Sequence, residues 1–154
     1  MLAIGIVDDI RGVSSCAKFA IQFPVAIGLV AAGVRFEILS IPLLGEIHLG
    51  MAGYAVSVLW LVGVTNALNF IDGIDGLASG VAYLIAVSLA ILSIFHDQPL
   101  LAVVMCSMAG ACFGFLRFNF SPAKIFLGDS GSLFLGIKLA VSATFGSVKE
   151  QLGA

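Results

Sequence analysis

The chain has 154 residues, of which 60% are hydrophobic and 10% are charged, and its net charge is −2. So few charged residues cannot cover the surface of a soluble protein of this size, and the apolar content excludes a disordered chain. The charge leaves no basic surface for nucleic acid, and three cysteines do not provide the even set of a disulfide framework. We therefore expect an integral membrane protein that binds no nucleic acid.

Apolar runs that approach the length of a membrane-spanning helix, about 20 residues, recur along the chain. None of them alternates strictly between apolar and polar residues as a barrel strand does, so helices are favoured. The pattern predicts an all-α, polytopic helical bundle with about five full transmembrane helices and one partial helix at residues 1–7. The full spans are expected at residues 19–34, 51–71, 77–95, 99–116 and 130–148.

The segment between the first two full spans has a different pattern. Residues 36–41 and 45–49 are two short runs on either side of Pro42, and we expect a small hairpin there on the outer side. The opposite side carries four basic residues against two, which makes it cytoplasmic by the positive-inside rule. Of these four, Lys18 is expected to mark the start of the first full span by reaching to the interface. The four are Arg11, Lys18, Arg117 and Lys124.

Five of the nine acidic residues fall on the cytoplasmic side, at or next to the ends of spans. They are Asp8, Asp9, Asp72, Asp75 and Asp129. Carboxylates close to hydrocarbon are costly and are functional candidates. Five on one face would repel each other without a cation, and their hard oxygen ligands favour Mg²⁺, with Mn²⁺ as an alternative. We therefore expect all five to converge within reach of one metal ion.

The central motif, residues 66–77, is the most specific of three acidic motifs. Four polar residues recur in it every three positions, which on a helix places neighbouring polar side chains on one slowly rotating face. These four are Asn66, Asn69, Asp72 and Asp75. Gly73 and Gly76 leave the backbone bare beside the acids, as the close approach of a ligand requires. A polar loop with helix caps is the weaker alternative.

The third motif, around Asp129, has two interpretations. Its Gly-Asp-Ser-Gly string is similar to the nucleophile loop of a serine protease. However, His48 and His96 are both expected on the outer side, so Ser130 has no base and this interpretation is rejected. We expect instead that Asp129 and Ser130 cap the following span, whose N-terminus would help to hold an anion. Lys124 nearby either contacts phosphate or marks the membrane boundary.

Together these residues resemble the polyprenyl-phosphate N-acetylhexosamine-1-phosphate transferases, the MraY/WecA-like family of membrane glycosyltransferases. The resemblance rests on the Asp8-Asp9 pair, on residues 66–77 and on residues 118–135, and it covers essentially the whole chain in order. The sequences Asn-Phe-Ile-Asp-Gly-Ile-Asp-Gly and Gly-Asp-Ser-Gly-Ser are more similar to the WecA-type branch than to the MraY-type branch. A UDP-N-acetylhexosamine is therefore implied as the substrate rather than a UDP-muramoyl-pentapeptide.

The resemblance implies a reaction and a place for it. A sugar-1-phosphate, N-acetylglucosamine-1-phosphate on the WecA-type pattern, moves from a UDP-sugar to polyprenyl phosphate such as undecaprenyl phosphate. The products are a polyprenyl-diphosphate sugar and UMP, for cell-envelope polysaccharide or glycoconjugate synthesis. The implied location is a bacterial-type inner membrane with the active face in the cytoplasm. A homodimer is a further candidate partner.

The resemblance also implies roles for single residues in the catalytic step. Asp129 matches the magnesium ligand of the family. Asp8 matches the acid proposed to deprotonate or position the lipid phosphate, although a phosphate monoester is already largely ionised near neutral pH. Asp9 would support the metal or its neighbour. Phosphoryl transfer needs positioning and charge neutralisation more than covalent help, and these carboxylates suit that need.

The same comparison implies a set of substrate-binding residues. They are Asn66, Asn69, Asp72, Asp75, Asn119, Lys124 and Phe126. Among them, Asn69 and Asp72 match positions at the nucleotide diphosphate, Asp75 matches a uracil contact and Phe126 matches an aromatic ring that stacks on uracil.

The chain also departs from the family pattern. It has fewer spans, no counterpart of the N-terminal helices with their nucleotide-contacting basic residue, and no histidine-rich cytoplasmic loop. We therefore expect a single membrane domain over residues 1–154 that is truncated at both ends. Two alternatives to an active transferase stay open, a divalent-cation channel or transporter and an inactive membrane fragment of the transferase.

Overall fold

A computed structural model describes residues 1–41 and 45–152 of the chain, and these residues form a helical bundle with one short hairpin. The elements in chain order are α1 (Leu2–Arg11), α2 (Ser15–Ala31), β1 (Ile38–Ile41), β2 (Gly45–His48), α3 (Ala52–Ile71), α4 (Leu77–Phe95), α5 (Pro99–Asn119) and α6 (Gly128–Leu152). The expectation of an essentially all-α fold is confirmed.

Among the described residues, three helices are both long and apolar enough to cross a membrane. They are α3, α4 and α5, with 20, 19 and 21 residues and mean hydropathies of 1.6, 2.2 and 2.0. Helix α2 is apolar but has only 17 residues, and α6 has 25. The structure therefore confirms helices at all five expected spans and an integral membrane protein, while the number of five full crossings stays a prediction.

Helix α1 is a short helix that packs on the beginning of α6. A Cβ atom on Gly5 would lie 2.3 Å from Ser130 Cα, so the two backbones touch and only glycine fits at this position. The backbones of α3 and α6 also touch where the two helices cross, because a Cβ on Gly136 would lie 2.7 Å from Thr65 Cα. Small residues at such crossings are what close helix packing in membranes requires.

A third contact joins α4 to α5 and encloses the larger of two buried apolar clusters. Three alanines one turn apart, Ala82, Ala86 and Ala90, are buried on α4 against Met105 and Ala109 of α5.

Helices α1, α3 and α4 all pack against α6. This packing brings the three acidic motifs to one end of the bundle.

The predicted hairpin is confirmed as an antiparallel pair, in which Ile38 faces His48 and Ile41 faces Gly45. Pro42 lies outside the described residues. Ahead of the hairpin, the backbone N–H of Phe36 donates to Ser57 Oγ at 2.8 Å, which fixes this segment on the first turns of α3. The side of the membrane on which the hairpin lies stays a prediction.

Candidate functional site

Asp129, in the first turn of α6, is the carboxylate on which the described contacts converge. Its Oδ1 accepts a hydrogen bond from Asn69 Nδ2 of α3 at 2.7 Å. Its Oδ2 is bound by the ammonium group of Lys18 from α2. Asn69 Nδ2 also donates to Ser132 Oγ at 2.8 Å, which ties the end of α3 to the same turn of α6. Side chains from two other helices, α2 and α3, therefore hold this carboxylate of α6.

Lys18 also forms an ion pair with Asp8 at the end of α1. Asp8 and Asp129 thus face one positive charge between them, and their side chains are only 9% and 25% exposed. The hydrogen bond from Lys18 lowers the pKa of Asp8 below its ordinary value, and a backbone hydrogen bond from Val13 acts in the same direction. The Asp8 carboxyl group is therefore arranged to stay ionised.

The sequence-based prediction missed the role of Lys18. Its position before an apolar run was interpreted as a membrane boundary, yet its ammonium group lies between two carboxylates. The turn between α1 and α2 could have indicated this contact. Gly12 has a φ of 66° and Ser14 caps α2, so the chain reverses its direction between the two helices. The reversal brings Lys18 back close to Asp8.

Asp9 binds the backbone at the start of α6. Its Oδ1 accepts the N–H of Asp129 at 2.8 Å, and its Oδ2 accepts the N–H of Ser130 at 3.1 Å. A carboxylate at a helix N-terminus satisfies free N–H groups and interacts favourably with the helix dipole. The expectation that Asp129 and Ser130 cap this helix is wrong, because their own amides are the donors and Asp9 is the acceptor.

Gly128 allows Asp9 to approach so closely. It has a φ of 69°, and a Cβ there would lie 3.0 Å from each carboxylate oxygen of Asp9. The glycine before Asp129 is therefore required both for its left-handed backbone and for the space that Asp9 occupies.

Asp72 and Asp75 take different positions after α3. Asp72 is half-buried and is hydrogen-bonded by the backbone of Gly128. Burial raises the pKa of Asp72 to about 6, and the neighbouring charge of Asp9 adds to the increase. Asp75 instead accepts the backbone N–H of Ala123 at 3.0 Å. Asp72 therefore belongs to the start of α6, whereas Asp75 supports the loop after α5.

The expectation that all five acids converge within reach of one metal ion is wrong for the described residues. Four of them, Asp8, Asp9, Asp72 and Asp129, lie around the start of α6, but only Asp8 and Asp129 share a cation. Within the described part of the chain, no group of three Asp, Glu, His or Cys side chains is arranged to hold a metal ion. Two carboxylates do converge on one cation, the ammonium group of Lys18. That donor set fits Mg²⁺, which commonly uses one or two carboxylates and takes its other ligands from substrate phosphates and water.

The loop after α5 is held by Asn119, which is 3% exposed. Asn119 Oδ1 accepts a hydrogen bond from Ser79 Oγ at 2.7 Å, and its Nδ2 donates to the carbonyl oxygen of Ile125 at 2.9 Å. The neighbouring Phe126 is 76% exposed and Lys124 is also exposed. The predicted substrate contacts of Phe126 and Lys124 suit this exposure, and like that of Asn119 they stay predictions.

Asn66 lies apart from these contacts, one turn before Asn69 on α3. Its Nδ2 donates to the side-chain oxygen of Gln22 on α2, and Gln22 is completely buried. Gln22 is a second residue that the sequence-based prediction did not single out. A glutamine inside an apolar run is the pattern that indicates it, because a buried polar side chain needs a partner.

Known proteins resemble this chain over nearly its whole length. Residues 1–147 match the family described as glycosyl transferase family 4. A probable undecaprenyl-phosphate N-acetylglucosaminyl 1-phosphate transferase of Bacillus subtilis (strain 168) is 40% identical over 151 residues, which cover 97% of this chain and 42% of that protein. A decaprenyl-phosphate N-acetylglucosaminephosphotransferase of Mycobacterium leprae (strain TN) is 42% identical, and the match covers 92% of this chain and 38% of that protein.

A phospho-N-acetylmuramoyl-pentapeptide-transferase of Chlamydia muridarum is 36% identical, and the match covers 86% of this chain and 44% of that protein. The chain therefore spans about two-fifths of the length of these curated relatives. Identity to the two N-acetylglucosamine relatives, at 40% and 42%, exceeds the 36% found with the pentapeptide transferase.

Proposed function

Because this chain belongs to glycosyl transferase family 4, as the WecA-type resemblance of its motifs predicts, we propose that it carries the catalytic centre of a sugar-1-phosphate transferase. The donor is a UDP-N-acetylhexosamine, UDP-N-acetylglucosamine by similarity to the two N-acetylglucosamine relatives. The acceptor is polyprenyl phosphate, and the product serves cell-envelope polymer synthesis. The reaction takes place on the cytoplasmic face of a bacterial-type inner membrane.

The arrangement around Asp129 is the observation that supports this proposal most strongly. Its two oxygens are held by Lys18 and Asn69, and Lys18 also holds Asp8. Residues from all three acidic motifs thus meet at one end of an apolar bundle, where a polar nucleotide and a lipid headgroup can both arrive. A channel would need polar residues that continue through the spans, whereas α4 has a mean hydropathy of 2.2.

The proposed reaction breaks one phosphoanhydride bond and forms another. An oxygen of polyprenyl phosphate attacks the sugar-bearing phosphorus of the UDP-sugar, and UMP leaves with the electron pair of the broken P–O bond. Because a phosphate monoester is already largely ionised near neutral pH, no strong base is needed. Asp8 and Lys18 would therefore position the lipid phosphate rather than remove a proton from it.

Residues of the chain have further roles in this scheme. Mg²⁺ would be held by Asp129 with Asp8, and when bound it neutralises the charge of the diphosphate and of the departing UMP. Asp9 fixes the first turn of α6 and so the direction of the Asp129 carboxylate. The exposed ring of Phe126 is available to stack on uracil, and Asp75 stands by the same loop.

Release of UMP tests the proposal in membranes from cells that carry the gene at its own locus. We expect release to require UDP-N-acetylglucosamine, polyprenyl phosphate and Mg²⁺ together. Asp129→Asn should lower the rate at least about 100-fold, because it removes charge at the reacting centre. Glu46→Gln, at an exposed position of the hairpin, is the matched control and should leave the rate unchanged. UMP release that persists in Asp129→Asn contradicts the proposed centre.

A further inference from the structure

A second polar pair lies about one helical turn deeper in the bundle than the contacts to Asp129. Gln22 of α2 is completely buried, and its side-chain oxygen accepts a hydrogen bond from Asn66 Nδ2 of α3. Asn66 Nδ2 also donates to the carbonyl oxygen of Val62 at 2.8 Å. Both amide protons of Asn66 are therefore in use, and they fix its side chain between its own helix and α2.

This pair is aligned with the residues that hold Asp129. Gln22 follows Lys18 by four residues on α2, and Asn66 precedes Asn69 by three residues on α3. Residues three and four apart share one face of a helix, and four residues advance about 6 Å along its axis. The same two helix faces therefore carry first the amide pair and then, nearer the start of α6, the two groups that bind Asp129.

Lys18 and Asn69 bind opposite oxygens of Asp129, so the separation of α2 and α3 determines how that carboxylate is turned. We propose that Gln22 and Asn66 are positioning residues that set this separation. Neither of them contacts a substrate, which changes the role that the family resemblance implies for Asn66. The proposal deepens the transferase function described above and rests on it.

A role in stability alone does not explain why the pair is polar. Gln22 Nε2 has no hydrogen-bond partner among the described residues, although it is buried. An unsatisfied buried donor is costly, and two apolar side chains of similar shape would pack between the helices without this cost. The hydrogen bond between the two amides has a preferred direction and distance, whereas apolar side chains can slide past each other. These properties suit a spacer that sets the distance between α2 and α3.

Leucine variants in native membranes test the proposal through the rate of UMP release. Gln22→Leu and Asn66→Leu should each lower kcat about 10–100-fold, because displacement of reacting groups by about 1 Å costs this much. KM for the UDP-sugar should stay within about twofold, since neither residue binds it. Ser107→Ala, which removes a hydroxyl bonded to Val103 O of its own helix, is the matched control and should keep the wild-type kcat. An unchanged kcat in the leucine variants, or a raised KM for the nucleotide sugar, overturns the proposal.

A swapped pair separates positioning from folding. The double variant Gln22→Asn/Asn66→Gln exchanges the long and the short amide and keeps their combined length across the helix gap. Each single swap shortens or lengthens the same link. We expect the double variant to recover kcat to within about threefold of the wild type and each single swap to be slower, as coupled neighbours require. A double variant no faster than the single swaps overturns the proposal.

Acylation of Lys18 tests the positioning role without any transferase activity. Two carboxylates hold its ammonium group and its side chain is 17% exposed, so a succinimidyl ester should label it slowly in the wild type. Gln22→Leu should accelerate labelling of Lys18 several-fold by mass spectrometry, while the exposed Lys124 in the same sample should label at an unchanged rate. Unchanged labelling of Lys18 contradicts the positioning role. If Lys18 is labelled faster in Gln22→Leu but the wild type releases no UMP, the positioning role is supported and only the transferase function is contradicted.

Discussion

Gly5 is the position where a small substitution should disturb the site most, because no flexible side chain can absorb it. A Cβ atom there would lie 2.3 Å from Ser130 Cα, 2.6 Å from Ser130 N and 2.7 Å from Asp129 O. All three are backbone atoms in the first turn of α6, so Gly5→Ala must separate α1 from α6. Restoring an ordinary contact of 3.4 Å in place of 2.3 Å requires a local displacement of about 1.1 Å.

Such a displacement breaks the cap that Asp9 provides. Its oxygens accept the N–H groups of Asp129 and Ser130 at 2.8 and 3.1 Å, and a further 1.1 Å places both beyond hydrogen-bond distance. Overpacking costs about 1–3 kcal/mol and loss of a cap about 1 kcal/mol, so we expect the free energy of unfolding to fall by about 2–4 kcal/mol. Because Asp8 moves with the same helix, kcat should fall about 100-fold.

Thermal unfolding in detergent and UMP release in membranes measure the two effects of Gly5→Ala. Gly28→Ala is the matched control, because a Cβ on Gly28 of α2 would have no atom within 4 Å. We expect that control to keep its melting temperature and rate. A Gly5→Ala variant with wild-type melting temperature and rate would refute the reasoning that contact between α1 and α6 positions the site.

Three further predictions concern charge and exposure. The pKa of Asp72 is about 6 against an ordinary value of 3.8, so the folded state binds more protons between these pH values, and stability should fall as pH rises through that window. Asp72→Asn should remove this slope in melting temperature against pH, and a slope that persists would exclude Asp72 as its source. Lys18→Met should lower the free energy of unfolding by about 2 kcal/mol, measured by denaturation, because Asp8 and Asp129 lose their shared cation; an equally stable variant contradicts that pairing. Phe126→Ala should raise KM for the UDP-sugar about tenfold without changing the melting temperature, since the ring is 76% exposed and stacking on a base is worth about 1–3 kcal/mol; an unchanged KM contradicts stacking.

Much of the fold could be predicted from the sequence because apolar runs and turn residues act locally. Helix α4 occupies Leu77–Phe95, as the uncharged run predicts, and the hairpin lies on both sides of Pro42 as expected. The number of membrane crossings was harder to predict. Helix α2 has only 17 residues, and apolar composition alone does not determine whether a helix of this length crosses a bilayer.

The composition of the site could be predicted only in part. Three-residue spacing identified Asn69, and the position of an acid at the end of a span identified Asp129; the two meet at 2.7 Å in the structure. Spacing could not reveal that Lys18 holds Asp129, because the two residues are 111 positions apart. Only the packing of α2 on α3, and of α3 on α6, brings them together. The resemblance implied a substrate contact for Asn119, which stays a prediction, and no spacing could show that its amide bonds with Ser79 and Ile125 inside the protein.

The fate of the sugar-bearing phosphorus tests the central claim most directly. UDP-N-acetylglucosamine labelled with ³²P at that phosphorus is incubated with polyprenyl phosphate and membranes that contain the protein, and lipid is separated from the aqueous phase. Transfer of a sugar-1-phosphate places the label in the lipid, with unlabelled UMP in water, and Asp129→Asn should abolish this incorporation. Label that stays in the aqueous phase as UDP, with sugar in the lipid, would contradict the account.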